Sequence, residues 1–248
     1  MEVHHHSHSP RKKFTHYLWE FLMLFLAVFC GFMAENFREH LVEHKKEKDY
    51  MKSLLADLVT DTSSHNRNIQ FWEEQIVLAD SFFNCLKKQE TPANTRDLYR
   101  LVYYSYDFSK FNYNDRTVAQ LKSTGNFRLI RKKQIADDII SYDNSVRINL
   151  ISQEQELESV WITLMNKQAT VIDYRAWPAK ALFLNETNYL TGLSGPALLT
   201  KDKIAISELM ELSQRKIWLM TIVKQNLVFL KQEAGALIGA LKKEYHLQ

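Results

Sequence analysis

Two hydrophobic patterns organise this chain. The first is a solid apolar run. Of residues 17–34, seventeen are apolar or Gly, and Glu20 carries the one charge. At about 1.5 Å per residue the run covers roughly 27 Å, close to the hydrocarbon thickness of a bilayer. It predicts a transmembrane helix over residues 17–35, after a polar head at 1–16 and before a helical-bundle domain at 36–248. The second pattern is periodic. From residue 35 to residue 91 there is no Gly and no Pro. A solvated charged helix there leads into an apolar face at Tyr50, Leu54, Leu58, Ile69, Trp72, Ile76, Phe83 and Leu86. The polar run at residues 60–64 interrupts that face and marks a candidate kink.

Pro92 is expected to end this arm. A second helix is expected over residues 95–106 with Thr95 as its N-cap, then a turn at 112–115. A short helix over 116–123 should stop at Gly125. The strongest periodic signal follows. Eleven positions from Ile135 to Val171 step by threes and fours, and nine of them are apolar. Pro178 should close that helix. Residues 179–200 form a mixed connector with Gly192, Gly195 and Pro196. A last long helix is expected over 201–243, on the face Ile204, Leu209, Leu212, Leu219, Val223, Leu227, Leu230, Leu237 and Leu241. Gly235 and Gly239 point to close helix approach. The expected fold is all-α: an N-terminal transmembrane helix continuing into an elongated antiparallel helical bundle.

Composition supports this reading. Gly (6) and Pro (4) are scarce, which disfavours turn-rich sheets. A net charge of +3 with interspersed signs gives no nucleic-acid footprint. Cys30 and Cys85 lie 55 residues apart, roughly 80 Å along a continuous helix, so they read as two small hydrophobes rather than a disulfide. Cleavage after Ala34 would place Phe32 at −3, and Phe29 precedes Cys30, so neither signal-peptidase pattern fits and the span reads as a retained anchor. Arg11, Lys12 and Lys13 beside the span favour a cytoplasmic head, with the bulk of the chain outside the cytosol.

Candidate chemistry is sparse. His4, His5, His6 and His8 can bind metal loosely but fix no geometry. His40, Glu43 and His44 match the inverted zinc-peptidase pattern, yet they sit on a solvated helix beside the membrane without a third ligand, and a charged juxtamembrane helix is the better reading. Glu20 is expected to snorkel near Tyr17 and Trp19. Ala27, Gly31 and Ala34 share one face and form a candidate contact surface for a second copy or another envelope protein. The tyrosines at 99, 103, 104 and 106 are expected to pack in the core, and Asn185-Glu-Thr187 is a glycosylation sequon. No P-loop, dinucleotide fingerprint, nucleophile elbow or C-x-x-C occurs. No catalytic, cofactor or metal residue is assigned.

Two blocks carry a resemblance. One is Tyr17-Leu-Trp-Glu-Phe-Leu-Met-Leu-Phe-Leu-Ala-Val-Phe-Cys-Gly-Phe-Met-Ala-Glu-Asn-Phe-Arg-Glu-His40, behind the His-rich head. The other is Thr117-Val-Ala-Gln-Leu-Lys-Ser-Thr-Gly-Asn-Phe-Arg-Leu-Ile130. In order and spacing they resemble a family of single-span membrane proteins of Gram-negative bacteria, carried as a domain of unknown function. The resemblance covers residues 1–145. It implies a native His-rich head, an inner-membrane anchor and a periplasmic helical domain, and it carries over no catalytic residue. The expected function is a non-enzymatic anchored scaffold or accessory subunit of the envelope. The alternative is an extracytoplasmic ligand-sensing domain that signals through a partner, because the head is too short for an output domain.

Overall fold

The structure is a computed structural model, and it describes residues 14–88, 92–176 and 197–247. The four head histidines, Pro178, the 185–187 sequon, Gly192, Gly195 and Pro196 lie outside the described residues. The elements are α1 (Phe14–Leu86), α2 (Pro92–Tyr104), α3 (Arg116–Ser123), a 3-10 turn (Asn126–Leu129), α4 (Lys133–Asn144), a π turn (Ser145–Leu150), α5 (Ile151–Val171), a second 3-10 turn (Tyr174–Ala176) and α6 (Lys203–Tyr245). No strand forms among the described residues, and the fold is an all-α helical bundle. The chain divides into two compact units, Met1–Tyr50 and Met51–Gln248.

The first unit holds the N-terminal part of α1. Its apolar side chains face outward: Trp19, Phe21, Leu24 and Phe32 are all exposed. Phe21, Phe25 and Phe29 stack along one face, with ring centroids 6.3 and 6.0 Å apart. Glu20 lies 3.0 Å from His16 one turn back, at the start of the apolar run. Beyond the run, Arg38 donates twice to Glu35, at 2.9 and 2.5 Å.

In the second unit α1 continues without a break through the polar run at 60–64. The hydroxyls of Thr60, Thr62 and Ser63 return to the carbonyls of Ala56, Leu58 and Val59, so this polar run satisfies itself inside an unbroken helix. The core of α1 is Met51, Leu54, Leu58, Trp72, Phe82 and Leu86, while Ile69, Ile76 and Phe83 are half-buried. Pro92 opens α2 rather than ending α1. Its ring-fixed φ and missing N–H suit a first helical position, so α2 starts three residues before Thr95, which is buried within it. Helix α3 has the expected bounds, and Gly125 ends it at φ 66°. Residues 112–115 are irregular backbone rather than a turn.

The long periodic segment folds as α4 and α5 joined through the π turn. Tyr142, Val146, Leu150 and Glu154 are all buried. Three successive steps of four overrun a 3.6-residue pitch, and the wider π turn absorbs the excess so that the face stays inward. Helix α6 begins at Asp202, whose side chain accepts from the Ile204 N–H at 2.9 Å, and ends at His246 in the left-handed region. Its expected apolar face is buried except Ile204, which is exposed, and Leu212, which is half-buried. Lys167 pairs with Glu208, Arg215 with Glu156, and Asn226 with Gln153. One number rises as the other falls, so α5 and α6 run antiparallel. Paired main-chain bonds, Asp173 N–H to Ala197 O and Leu199 N–H to Val171 O (each 2.8 Å), join the two edges of the connector beneath a core of Tyr99, Val102, Leu164, Ile172 and Leu209.

Candidate functional site

The second unit buries a seam of polar side chains, built outward from one face of α1. Asp57, Asp61, His65 and Asn68 step by fours and a three, with Ser64 beside His65, so helical geometry places them on one side, and all are buried. The irregular segment 107–115 lies against them. Where this segment and the first turn of α3 press against α1, main-chain N–H groups shielded from water need acceptors. Three carboxylates supply them at intervals of three residues. Glu154 accepts from the Phe111 N–H at 2.8 Å, Asp61 from the Asn114 N–H at 3.0 Å, and Asp57 from the Thr117 N–H at 3.1 Å. Asp57 also takes the Thr117 hydroxyl (2.5 Å) and Arg116 (2.8 Å), and Asp61 takes the Asn114 amide (2.8 Å).

A second tier rests on α4. The Tyr142 hydroxyl donates to Asp61 at 3.2 Å and lies 3.2 Å from His65 Nε2. With that proton directed at Asp61, His65 donates from Nε2, and its buried Nδ1 has no partner among the described residues. Phe111 stacks on the His65 ring at 4.2 Å. Asp143 accepts from Tyr113 (3.0 Å), from Arg147 (3.0 Å) and from Lys122, and Arg147 also reaches Asp115. Ser109 donates to Asn68 at 2.9 Å.

Burial dominates the electrostatics. It pushes the Glu154 carboxyl up to about 7, against the opposing pull of the Phe111 N–H. It raises Asp61 against the bonds from Asn114 and Tyr142. It depresses His65 to about 4, with help from the Lys231 charge. Asp143 is the exception: burial favours its neutral form, but the bonds from Lys122, Arg147 and Tyr113 prevail and hold it below the usual carboxylate range.

Two further features lie in this unit. Lys216 is buried and donates to the Ser105 carbonyl at 3.1 Å, as does the Trp161 indole at 2.9 Å. Burial lowers the Lys216 ammonium to about 8. The void beside it measures about 10 Å³, at the threshold for a single water. An open groove of about 610 Å³ lies where α5 ends and α6 begins, lined by Lys167, Lys203, Ile204, Ser207, Glu208, Glu211 and Leu212.

The candidate residues read from sequence are not gathered into one place. Ala27, Gly31 and Ala34 are exposed on α1 of the first unit, with open space outside Gly31. His40 and His44 are exposed and Glu43 is half-buried; His44 lies 3.4 Å from Glu47. No group of three His, Cys, Asp or Glu with metal-binding geometry occurs among the described residues. Cys30 and Cys85 are free thiols, one exposed and one buried. Tyr99 is a core residue that donates to the Asp173 carbonyl at 2.6 Å, while Tyr106 is at the surface and bonds Tyr174. The buried seam was missed from sequence, although Asp57, Asp61, His65 and Asn68 repeat at the same period as the apolar face.

Chemically, the seam is a clamp. Each of its carboxylates accepts bonds from the chain's own main chain or side chains, which fastens residues 109–117 to α1, α4 and α5. No protein-family model matches this chain, and neither a curated protein nor a solved structure matches it at a significant level.

Proposed function

We propose that this chain is a membrane-anchored, non-enzymatic scaffold or accessory subunit of the bacterial cell envelope, with its bulk in the periplasm. The observation that carries the reading is the apolar part of α1. It is long enough to cross a bilayer, its best 18-residue window has a mean hydropathy of 1.9, and none of that window is buried within the chain. An outward apolar surface of that length is stable in lipid and costly in water. The second unit supports the non-enzymatic part, because its buried carboxylates serve the chain's own backbone. The resemblance carried by residues 17–40 and 117–130 agrees with an inner-membrane anchor.

Membrane crosslinking followed by affinity recovery of the full chain tests the scaffold: a defined envelope protein should co-purify, and recovery of nothing beyond the chain itself would count against it. Topology needs a reporter other than Cys85, since that thiol is buried. An exposed cysteine on α5, Gln155→Cys with Cys30 and Cys85 replaced, should react with a thiol reagent that cannot cross the inner membrane. Labelling only after the inner membrane is disrupted would place the bulk in the cytosol.

A second reading is a ligand-sensing domain, and the open groove lined by Ile204 and Leu212 among charged side chains is where a ligand would be sought. A rise in unfolding midpoint with one compound from an envelope-metabolite set, lost in Leu212→Trp, would support it.

A further inference from the structure

Helix α6 has an outer face that the described residues leave bare. Opposite the buried line of Leu209, Leu219, Val223, Leu227, Leu230 and Leu237, the positions Trp218, Gln225, Phe229, Gln232, Ala236 and Gly239 point away from the core, and each is exposed. Trp218 is 59% exposed and Phe229 52%. Half-buried Ile222 fills the gap in their spacing, which then runs strictly by fours and threes. That is the seam spacing by which one helix packs along another. Between Glu211 at one end and Lys243 at the other the line carries one charge, Arg215, which reaches Glu156 of its own chain at 3.3 Å.

The glycines sharpen the point. Gly235 and Gly239 sit mid-helix, where each costs about 1 kcal/mol relative to Ala. A Cβ built on either meets nothing within 4 Å, so no packing within the chain requires the missing side chain. Small residues on a helix surface allow a second backbone to come close.

We propose that this face is the docking surface for α6 of a second copy of the chain, packed antiparallel. The face is self-complementary in that orientation. Its first half is bulky, with Trp218 and Phe229; its second half is small, with Ala236 and Gly239. Reversing one copy lays the Trp218 of each over the Ala236 and Gly239 of the other. The same reversal brings Glu211 opposite Lys243 at both ends, and antiparallel helix dipoles attract. From residue 211 to residue 243 the seam is about 48 Å long. One helix about 10 Å wide over that length covers roughly 500 Å² per copy, below the roughly 800 Å² of a standard stable interface, so the association is of modest strength.

Cysteine crosslinking of the full chain in membranes tests this, in a background carrying Cys30→Ser and Cys85→Ala. Trp218→Cys combined with Ala236→Cys should give a covalent dimer with a short bifunctional thiol reagent, while either substitution alone should give little. Efficient dimer from Trp218→Cys alone would indicate parallel packing and overturn the proposal. A crosslinked product of another mass, or none, would overturn it equally. A parallel measurement does not depend on cysteine chemistry. In detergent solution Phe229→Glu should weaken self-association at least tenfold and Phe229→Leu should not. Gly31→Leu in the apolar run should leave the 218–236 crosslink in place; its abolition would transfer the contact to the other end of the chain.

Discussion

The two parts of α1 invert each other. In residues 17–34 apolar side chains cover the outside, and the one charge sits at the edge beside His16. In residues 56–68 the acids Asp57 and Asp61 are inside with Ser64, His65 and Asn68, while the apolar Ala56 and Val59 face out beside Thr60, Ser63, Asn66 and Arg67. One unbroken helix carries both patterns, so helix formation cannot be what selects them. What differs is the surroundings each part satisfies. The first part suits a solvent with no hydrogen bonds to offer, where only intrahelical bonding and apolar side chains are tolerated. The second part faces residues 114–117, where the Asn114 and Thr117 N–H groups take an oxygen acceptor that an apolar side chain cannot supply.

The sharpest break in that comparison is removal of an inward acid. Asp61→Leu leaves the Asn114 N–H, the Asn114 amide and the Tyr142 hydroxyl without their acceptor. At about 1–3 kcal/mol for each stranded buried donor, partly relieved by relaxation, the loss should reach about 4 kcal/mol. Urea unfolding of the full chain in detergent, followed by far-UV circular dichroism, measures it. Phe25→Leu in the outward part should leave the same midpoint unchanged. An equal effect from both would mean that the two parts are not stabilised differently.

Proton linkage separates two inward groups by sign. His65 has a folded pKa of about 4 against 6.5 unfolded. Between those values the unfolded chain binds more protons, so stability falls as pH drops through that window. Glu154 runs the other way, with a folded pKa of about 7 against 4.5. There the folded chain holds the extra proton, and stability falls as pH rises from 4.5 to 7. Each shift corresponds to about 3 kcal/mol at most. Glu154→Gln keeps an oxygen for the Phe111 N–H and removes the charge. It should therefore stabilise the chain at pH 8, and do much less at pH 4.5, in urea titrations at the two pH values. A loss at pH 8 would show that the carboxylate is a net asset where it lies.

The outward part answers to a different measurement. A charge near the middle of a membrane helix costs about 2.5–3.5 kcal/mol on insertion scales. Phe25→Arg should accordingly move a substantial share of the chain out of the carbonate-resistant membrane fraction. Ala56→Arg, on the exposed side of the second part, should move none.

These contrasts also show what was readable in advance. The apolar run, the 116–123 helix and the buried face of α6 follow from local period, because one environment lies on each side of the helix. The clamp does not. Asp57 and Asp61 read as solvated charges until Asn114 and the first turn of α3, more than 50 positions away, are known to lie against them. The π turn lies between these cases. Its trace is the run of fours at Tyr142, Val146, Leu150 and Glu154, and a glutamate at the last of these does not look like a core residue.

The smallest expected effect concerns α6, where the clamp's logic is absent and a bare face remains. Gly239→Ala adds a methyl into open space at a position where the backbone is ordinary helix. In an isolated copy that change should raise stability by about 0.5–1 kcal/mol, chiefly by restricting the unfolded chain. Differential unfolding at low protein concentration in detergent reads this. In a face-to-face pair the same methyl meets Trp218 of the other copy, so the gain should shrink or reverse as concentration rises. A gain that is constant across concentration would mean that Gly239 meets nothing at all. The glycine would then be a tolerated helix cost rather than part of a surface, and the sign of its concentration dependence decides between the two.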